Sequence, residues 1–351
     1  MYFEQILLHC QSKIGNERTT SALFHLLTGK KSIQTIHDAK LFGLEQYFAI
    51  YKSLHPNVYQ TYVDKLISDG YLETNDVQVT YTTITNRGHA FLQQQPIEIF
   101  RYLNGKKYEK KVEVFYKRFL LLIQTFTNTK KGNFNFISII DDQQTMYWIK
   151  EFYHQNKGQE ENVLMSIYEE LVSLLAQIEN EAASIFVDQI TSYKSYGLST
   201  HQLSQKYKRS IEDIYLIHIG VIHYILAQVE NGSYPALTNI ATIHAQTPYN
   251  LTLSASKTFE LMKQGFEVAE IAQIRKLKLN TIEDHIVEIA LLDQNFSITP
   301  FVNRNHQEEI MNAIKQSNSL RLKKIKSLVH ESIRYFEIRL VLTKVSSKGG
   351  E

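Results

Sequence analysis

Cysteine is almost absent from these 351 residues, and Cys10 alone cannot close a disulfide within the chain or contribute to a multi-cysteine zinc site. That fits a reducing compartment. Long apolar runs are missing too: none approaches the roughly 18 residues that a membrane-spanning helix needs. The start, Met-Tyr-Phe-Glu-Gln-Ile, lacks the basic segment of a secretion signal, so a soluble cytoplasmic protein is expected. Net charge is scarce at +2, which excludes a polycation, yet the charges are unevenly placed. Arg101 to Lys131 carries nine Lys or Arg against two Glu, Asp141 to Ile190 ten Asp or Glu against two Lys, and Lys315 to Lys348 nine basic residues against two acidic. Such runs usually face solvent, but a basic strip beside a DNA-binding motif is also what phosphate contact requires.

What is present is a 43% apolar fraction, enough to bury real cores, and helical periodicity over most of the length. Thr258 to Leu292 reads as a helix-turn-helix. Gly265 ends one helix, Glu267 and Glu270 open a second, and Ile282, Ile286 and Ile289 form the apolar stripe of a third, with Asn280 as N-cap and Glu283 reaching back to it. Gly197 to Ile217 echoes this motif with a turn two residues shorter, pairing Ser210-Ile211-Glu212-Asp213 with Thr281-Ile282-Glu283-Asp284. Chance sharing of capping residues explains the echo equally well.

The expected fold is mainly α. Residues 1–95 form a winged-helix-like unit, with helices over Leu41 to Tyr51 and Val58 to Ser68 and a small β-hairpin through Tyr71 to Thr85, closed by a linker at Gln93 to Pro96. Residues 96–250 form a central helical domain that includes one long helix from Leu164 to Ile190, apolar on one side and acidic on the other. Residues 251–345 form the helix-turn-helix domain, ending in one long helix over Leu320 to Thr343, and 346–351 a frayed tail.

Catalytic motifs fail one by one. Thr28-Gly29-Lys30-Lys31-Ser32 resembles a phosphate loop, but Phe24 stands where its first glycine belongs and Lys31 where the magnesium-binding Ser or Thr belongs. His218 and His223, five residues apart, turn to different helix faces and make no metal pair; no catalytic residue, metal or cofactor is expected. DNA contacts are expected instead from Lys30, Lys31 and Arg87 in the front unit, Arg275, Lys276, Lys278, Asn280, Thr281 and His285 in the helix-turn-helix, and Arg321, Lys323, Lys324 and Lys326 in the final helix. Glu283, Asp284 and Glu288 would repel phosphates, which makes sequence reading in the major groove doubtful and offers an acidic face for docking a partner.

The segments Gly265 to Ala272, Arg275 to His285 and Ile333 to Leu340 resemble the helix-turn-helix module that ends some RecQ-type helicases. With Leu23 to Ser32 at the front, the whole chain is similar to the YpbB-like proteins of Gram-positive bacteria. The resemblance implies a noncatalytic accessory protein that engages duplex or forked DNA together with a RecQ-type helicase in replication-fork repair, nucleoid-associated when bound. The alternatives are a helix-turn-helix transcriptional regulator and a protein-interaction scaffold that binds no DNA.

Overall fold

A computed structural model describes residues 2–74, 80–94, 98–242, 251–293 and 295–345. It is mainly α, as its patterning implies: 19 α-helices and one antiparallel strand pair occur among the described residues. In the front third, α1 (Tyr2–Ile14), α2 (Thr20–Thr28), α3 (Ile33–Leu41) and α4 (Pro56–Ser68) precede β1 (Leu72–Glu73) and β2 (Thr83–Ile84), and α5 (Asn86–Gln94) follows. Leu72 pairs with Ile84 and Glu73 with Thr83, so the wing has its root where the β-rich sequence places it. Its tip, residues 75–79, lies outside the described residues, as do Gln95 and Pro96 of the expected linker and the tail 346–351.

The phosphate-loop lookalike is two helix ends. Gly29, at φ 72°, closes α2 in the left-handed conformation, and the Ser32 hydroxyl accepts the Thr35 N–H to open α3. The helix expected over Leu41 to Tyr51 is absent. Gly43 and Ala49 both take positive φ, and the Ala49 and Tyr51 N–H groups bond to the Leu26 and Leu27 carbonyls, so this backbone is committed to the end of α2.

In the middle, α6 (Gly105–Tyr108), α7 (Lys111–Thr129), α8 (Gln143–Gln155), α9 (Glu160–Leu175), α10 (Asn180–Val187), α11 (Thr200–Tyr207), α12 (Ile211–Val229) and α13 (Pro235–Ala241) follow in turn. The expected helix from Leu164 to Ile190 is thus two, α9 and α10. The Tyr224 hydroxyl takes the Leu174 carbonyl at the break, and Glu170 of α9 accepts the Ala236 and Leu237 N–H groups at the start of α13. Part of the acidic pole is therefore spent inside the fold. Helix α12 is its axle: apolar on all sides, it is buried by α1, α7, α10 and α13.

The last third holds α14 (Leu253–Lys263), α15 (Val268–Arg275), α16 (Leu279–Leu292), α17 (Arg304–Ser317), α18 (Leu322–Lys326) and α19 (Tyr335–Leu342). The long helix expected over Leu320 to Thr343 is split into α18 and α19. Lys326 Nζ folds back to donate to the carbonyls of Glu331 and Ile333, Glu309 accepts the His330 N–H, and Glu337 accepts the Arg334 N–H to start α19.

One buried apolar cluster runs through all three thirds. Across the first junction, Asp213 at the head of α12 accepts the Phe3 N–H, and Tyr51 stacks on Tyr215 at 4.3 Å. At the second, Lys40 of α3 donates to the Leu291 carbonyl of α16, and Glu17 accepts the Ser319 hydroxyl. The front unit is gripped from both sides.

Candidate nucleic-acid interface

Helices α14, α15 and α16 build the helix-turn-helix from local rules. Gly265 adopts φ 91°, a conformation that L side chains rarely take, which ends α14. Glu270 accepts the Glu267 N–H at 2.8 Å to open α15, and Lys276 ends it in the left-handed region at φ 52°. Ile271, Ile282 and Ile286 are fully buried where the helices meet.

The echo upstream has the same geometry. Lys208 ends α11 at φ 52° and ψ 42°, Lys276 ends α15 at φ 52° and ψ 43°, and each turn runs three residues to the next helix. The expected two-residue difference in turn length is not there. The register places Gln202 opposite Glu270, each accepting its N-cap N–H at 2.8 Å, Leu203 opposite Ile271, and Ile214 opposite Ile282. Ser210 caps α12, whereas its counterpart Lys278 caps nothing with its side chain. The two helices of the upstream pair cross at 103°, but α12 is enclosed and offers no recognition face.

Much of α16 is enclosed as well, by α3, α14, α15 and α19. Asn280 is not its N-cap; it sits exposed in the first turn, and Glu283 turns away from it to Arg334 at 2.8 Å. Little of the expected acidic docking face is open. Glu283 and Glu288 are buried, Asp284 pairs with Arg339 at 2.8 Å, and Glu288 accepts the Thr252 N–H and hydroxyl at the start of α14. A carboxylate burdened by desolvation is retained in such a place because it accepts hydrogen bonds there.

Arg275 and His285 are likewise structural. The Arg275 guanidinium donates to the Ser254 carbonyl and hydroxyl, to the Thr258 hydroxyl and to His285 Nδ1, bracing three helices at once. Since guanidinium has no acceptor, Nδ1 must accept and His285 carries its proton on Nε2. Burial first, and the Arg275 charge second, hold that ring below the usual histidine range. Arg275→Met is expected to cost roughly 3 kcal/mol, seen as a lower urea midpoint, because buried acceptors lose a charged donor. Arg275→Lys should recover little of it, since an ammonium lacks the planar fork.

What remains outward is a small basic edge. Lys276, Lys278 and Asn280 are exposed around the turn, Thr281 half-buried beside them, and neither lysine side chain has a partner among the described residues. Lys323 and Lys324 of α18 are exposed and equally without partners. Their neighbours are committed: Lys326 to loop carbonyls, and Arg321 to Glu17 at 3.8 Å and to the face of Tyr81. In the front unit Lys30 meets His25, Lys31 pairs with Glu109 at 3.2 Å while staying largely exposed, and Arg87 lies exposed over Tyr71 at 5.1 Å.

One surface escaped the sequence reading. The first turns of α16 and α19 border a groove of about 430 Å³ lined by Asn280, Glu283, Asp284, Arg334, Tyr335, Phe336 and Arg339. Arg334 keeps 57% of its side chain exposed despite its partner. The available signal was the Arg334-Tyr335-Phe336 run, a cation next to two aromatics.

Protein YpbB of Bacillus subtilis (strain 168) is 33% identical over 348 residues, covering 98% of this chain and 97% of the relative. The chain belongs to the YpbB family. An RQC domain matches residues 4–108, which is α1 to α6, and a helix-turn-helix domain matches 254–342, which is α14 to α19. Together these identify a nucleic-acid-binding module of the RecQ C-terminal type in this YpbB-family protein. No solved structure gives a match. No single helix among the described residues is long and apolar enough to cross a membrane.

Proposed function

We propose that this YpbB-family protein is a noncatalytic accessory factor that binds duplex or forked DNA and acts with a RecQ-type helicase in replication-fork repair or recombination. The observation that carries the reading is the pairing, on one chain, of the two modules that RecQ-type helicases place after their motor. The enclosure of α16 supports backbone contact rather than groove reading. Only its first turn is open, and the open cations there, Lys276 and Lys278, suit phosphate oxygens, which position a protein on DNA without reporting sequence. This counts against the transcriptional regulator, whose recognition helix must enter the major groove. The burial of Glu283 and Glu288, which leaves only Asp284 part-exposed, counts against the DNA-free scaffold reading.

Titration of forked and duplex DNA across salt, with and without the helicase, tests the DNA half. Affinity should fall linearly on a log–log plot against salt and show little sequence preference. Co-elution of a helicase after nuclease treatment tests the other half. No DNA affinity in either setting, or capture of the helicase only while DNA is intact, would refute the corresponding half.

A further inference from the structure

A cavity of about 460 Å³ lies where the front unit meets the helical middle. Ala49, Lys52 and Ser53 form one wall, Val112, Tyr116 and Leu120 of α7 with Ile214, Ile219 and Ile222 of α12 form an apolar one, and Glu109, Glu113 and Lys117 also line it. Into it come both His218 and His223, although a spacing of five turns them to different faces of α12. Each ring is more than nine-tenths buried, and each has Nδ1 occupied. The Asn104 N–H donates to His223 Nδ1 at 3.1 Å. The Gln189 amide, oriented by its bond to the Ile185 carbonyl, donates to His218 Nδ1 at 2.9 Å. Both protons therefore sit on Nε2.

Neither Nε2–H has a partner among the described residues, and neither is sealed from open space. For rings this deeply placed, the open space is the cavity. Burial pushes both rings down to about 3, so at physiological pH they are neutral donors and not cations. The charges in the lining balance, Lys52 and Lys117 against Glu109 and Glu113, with Lys117 already paired to Glu113, and an ionised acceptor would lose its hydration against the isoleucines, so an uncharged one is favoured. Tyr116, edge-on to His218 at 4.5 Å, and Tyr215 add flat aromatic surface.

We propose that this cavity binds a small, planar, mainly apolar molecule carrying an uncharged hydrogen-bond acceptor, such as a ring carbonyl, which meets the imidazole Nε2–H groups of His218 and His223. Its size and mixed lining are those of small-molecule sites, which favour junctions between units. Because its walls come from both sides of the junction, an occupant ties the front unit to α7 and α12.

Coumarin, flat and bearing a ring carbonyl, and naphthalene, of the same shape without one, are suitable probes for the full chain. Saturable binding is expected, with coumarin at least about tenfold tighter, the worth of a hydrogen bond to a group otherwise unsatisfied. The Nε2 resonances of the two histidines should shift on addition of coumarin. In the double variant H218N/H223N each Asn oxygen replaces Nδ1 as acceptor for Gln189 or Asn104, while the shorter amide withdraws its NH2 donors from the place of Nε2–H. The coumarin advantage should then vanish and naphthalene binding persist. Should the double variant not fold, I222W, which fills the cavity, must abolish both. Equal binding of the two probes, no saturable binding, or an unchanged ratio in the double variant overturns the proposal.

Discussion

Replacing Lys276, Lys278, Lys323 and Lys324 together by alanine is expected to weaken DNA binding roughly a hundredfold at physiological salt. The slope of log affinity against log salt should become shallower by about 0.9 per lost phosphate contact, hence by about 3.6 for all four. Sequence preference should not change, because phosphate contacts report none. These lysines are exposed and make no internal bonds, so the urea midpoint should stay within error. That separates them from Arg275, whose loss acts through folding. An unaltered salt slope in the fourfold variant would move the interface to the front unit, where Lys30, Lys31 and Arg87 are exposed.

Stability is expected to fall steeply on acidification from about pH 6.5 towards pH 4. Burial holds His37 down at about 4, and His218 and His223 at about 3, against about 6.5 in an unfolded chain. A depressed folded pKa means that below pH 6.5 the unfolded chain binds protons which the folded chain refuses. Acid therefore favours unfolding, and the stability is fully present only above pH 6.5. Three such groups give a slope of up to about 4 kcal/mol per pH unit across this window. Urea midpoints at pH 7 and pH 5 measure it directly, and H218N/H223N should flatten the dependence by two protons. A midpoint that does not move between those pH values would contradict the burial of the rings. Cys10 adds nothing here: it is fully buried and its thiol is pushed upward, away from this range.

The parts of this fold legible in the sequence are those set by neighbours a few residues away. The starts of α11, α12 and α15 each carry a side chain that satisfies a backbone N–H three residues off, and apolar spacing marks the inward face of α16. Interruptions of long periodic stretches were illegible where no glycine or proline marks them. Between Leu320 and Thr343 the stripe is uninterrupted, and what breaks the helix is a carboxylate from α17 and the reach of Lys326. Identical letters can also hide different causes. Gly265 is required by its positive φ with open space around it, whereas a Cβ at Gly197 would come within 2.1 Å of the Gln189 carbonyl oxygen.

Of the candidate interface, charge sign was readable and availability was not. Arg275, Lys276 and Lys278 look alike in a string, yet one is a brace and two are open, because the partners of Arg275 lie on α14 and α16. Glu288 read as a surface acid because Thr252, which it caps, is 36 residues away. The groove beside Arg334 is made by the starts of α16 and α19, and periodicity hides the second inside one long helix.

Lys40 of α3 bonds to the Leu291 carbonyl of α16, and Asp213 of α12 holds the Phe3 N–H on the other flank, so the front and rear modules are joined by direct contacts and not by a bare linker. A duplex that touched the basic edges of both would meet them as one joined body, and bending a site of 20–30 base pairs by 40–90° costs of order 1–6 kcal/mol. Junctions, nicks and partly melted ends bend more cheaply than intact helix, so any such contact with both modules would cost less on them.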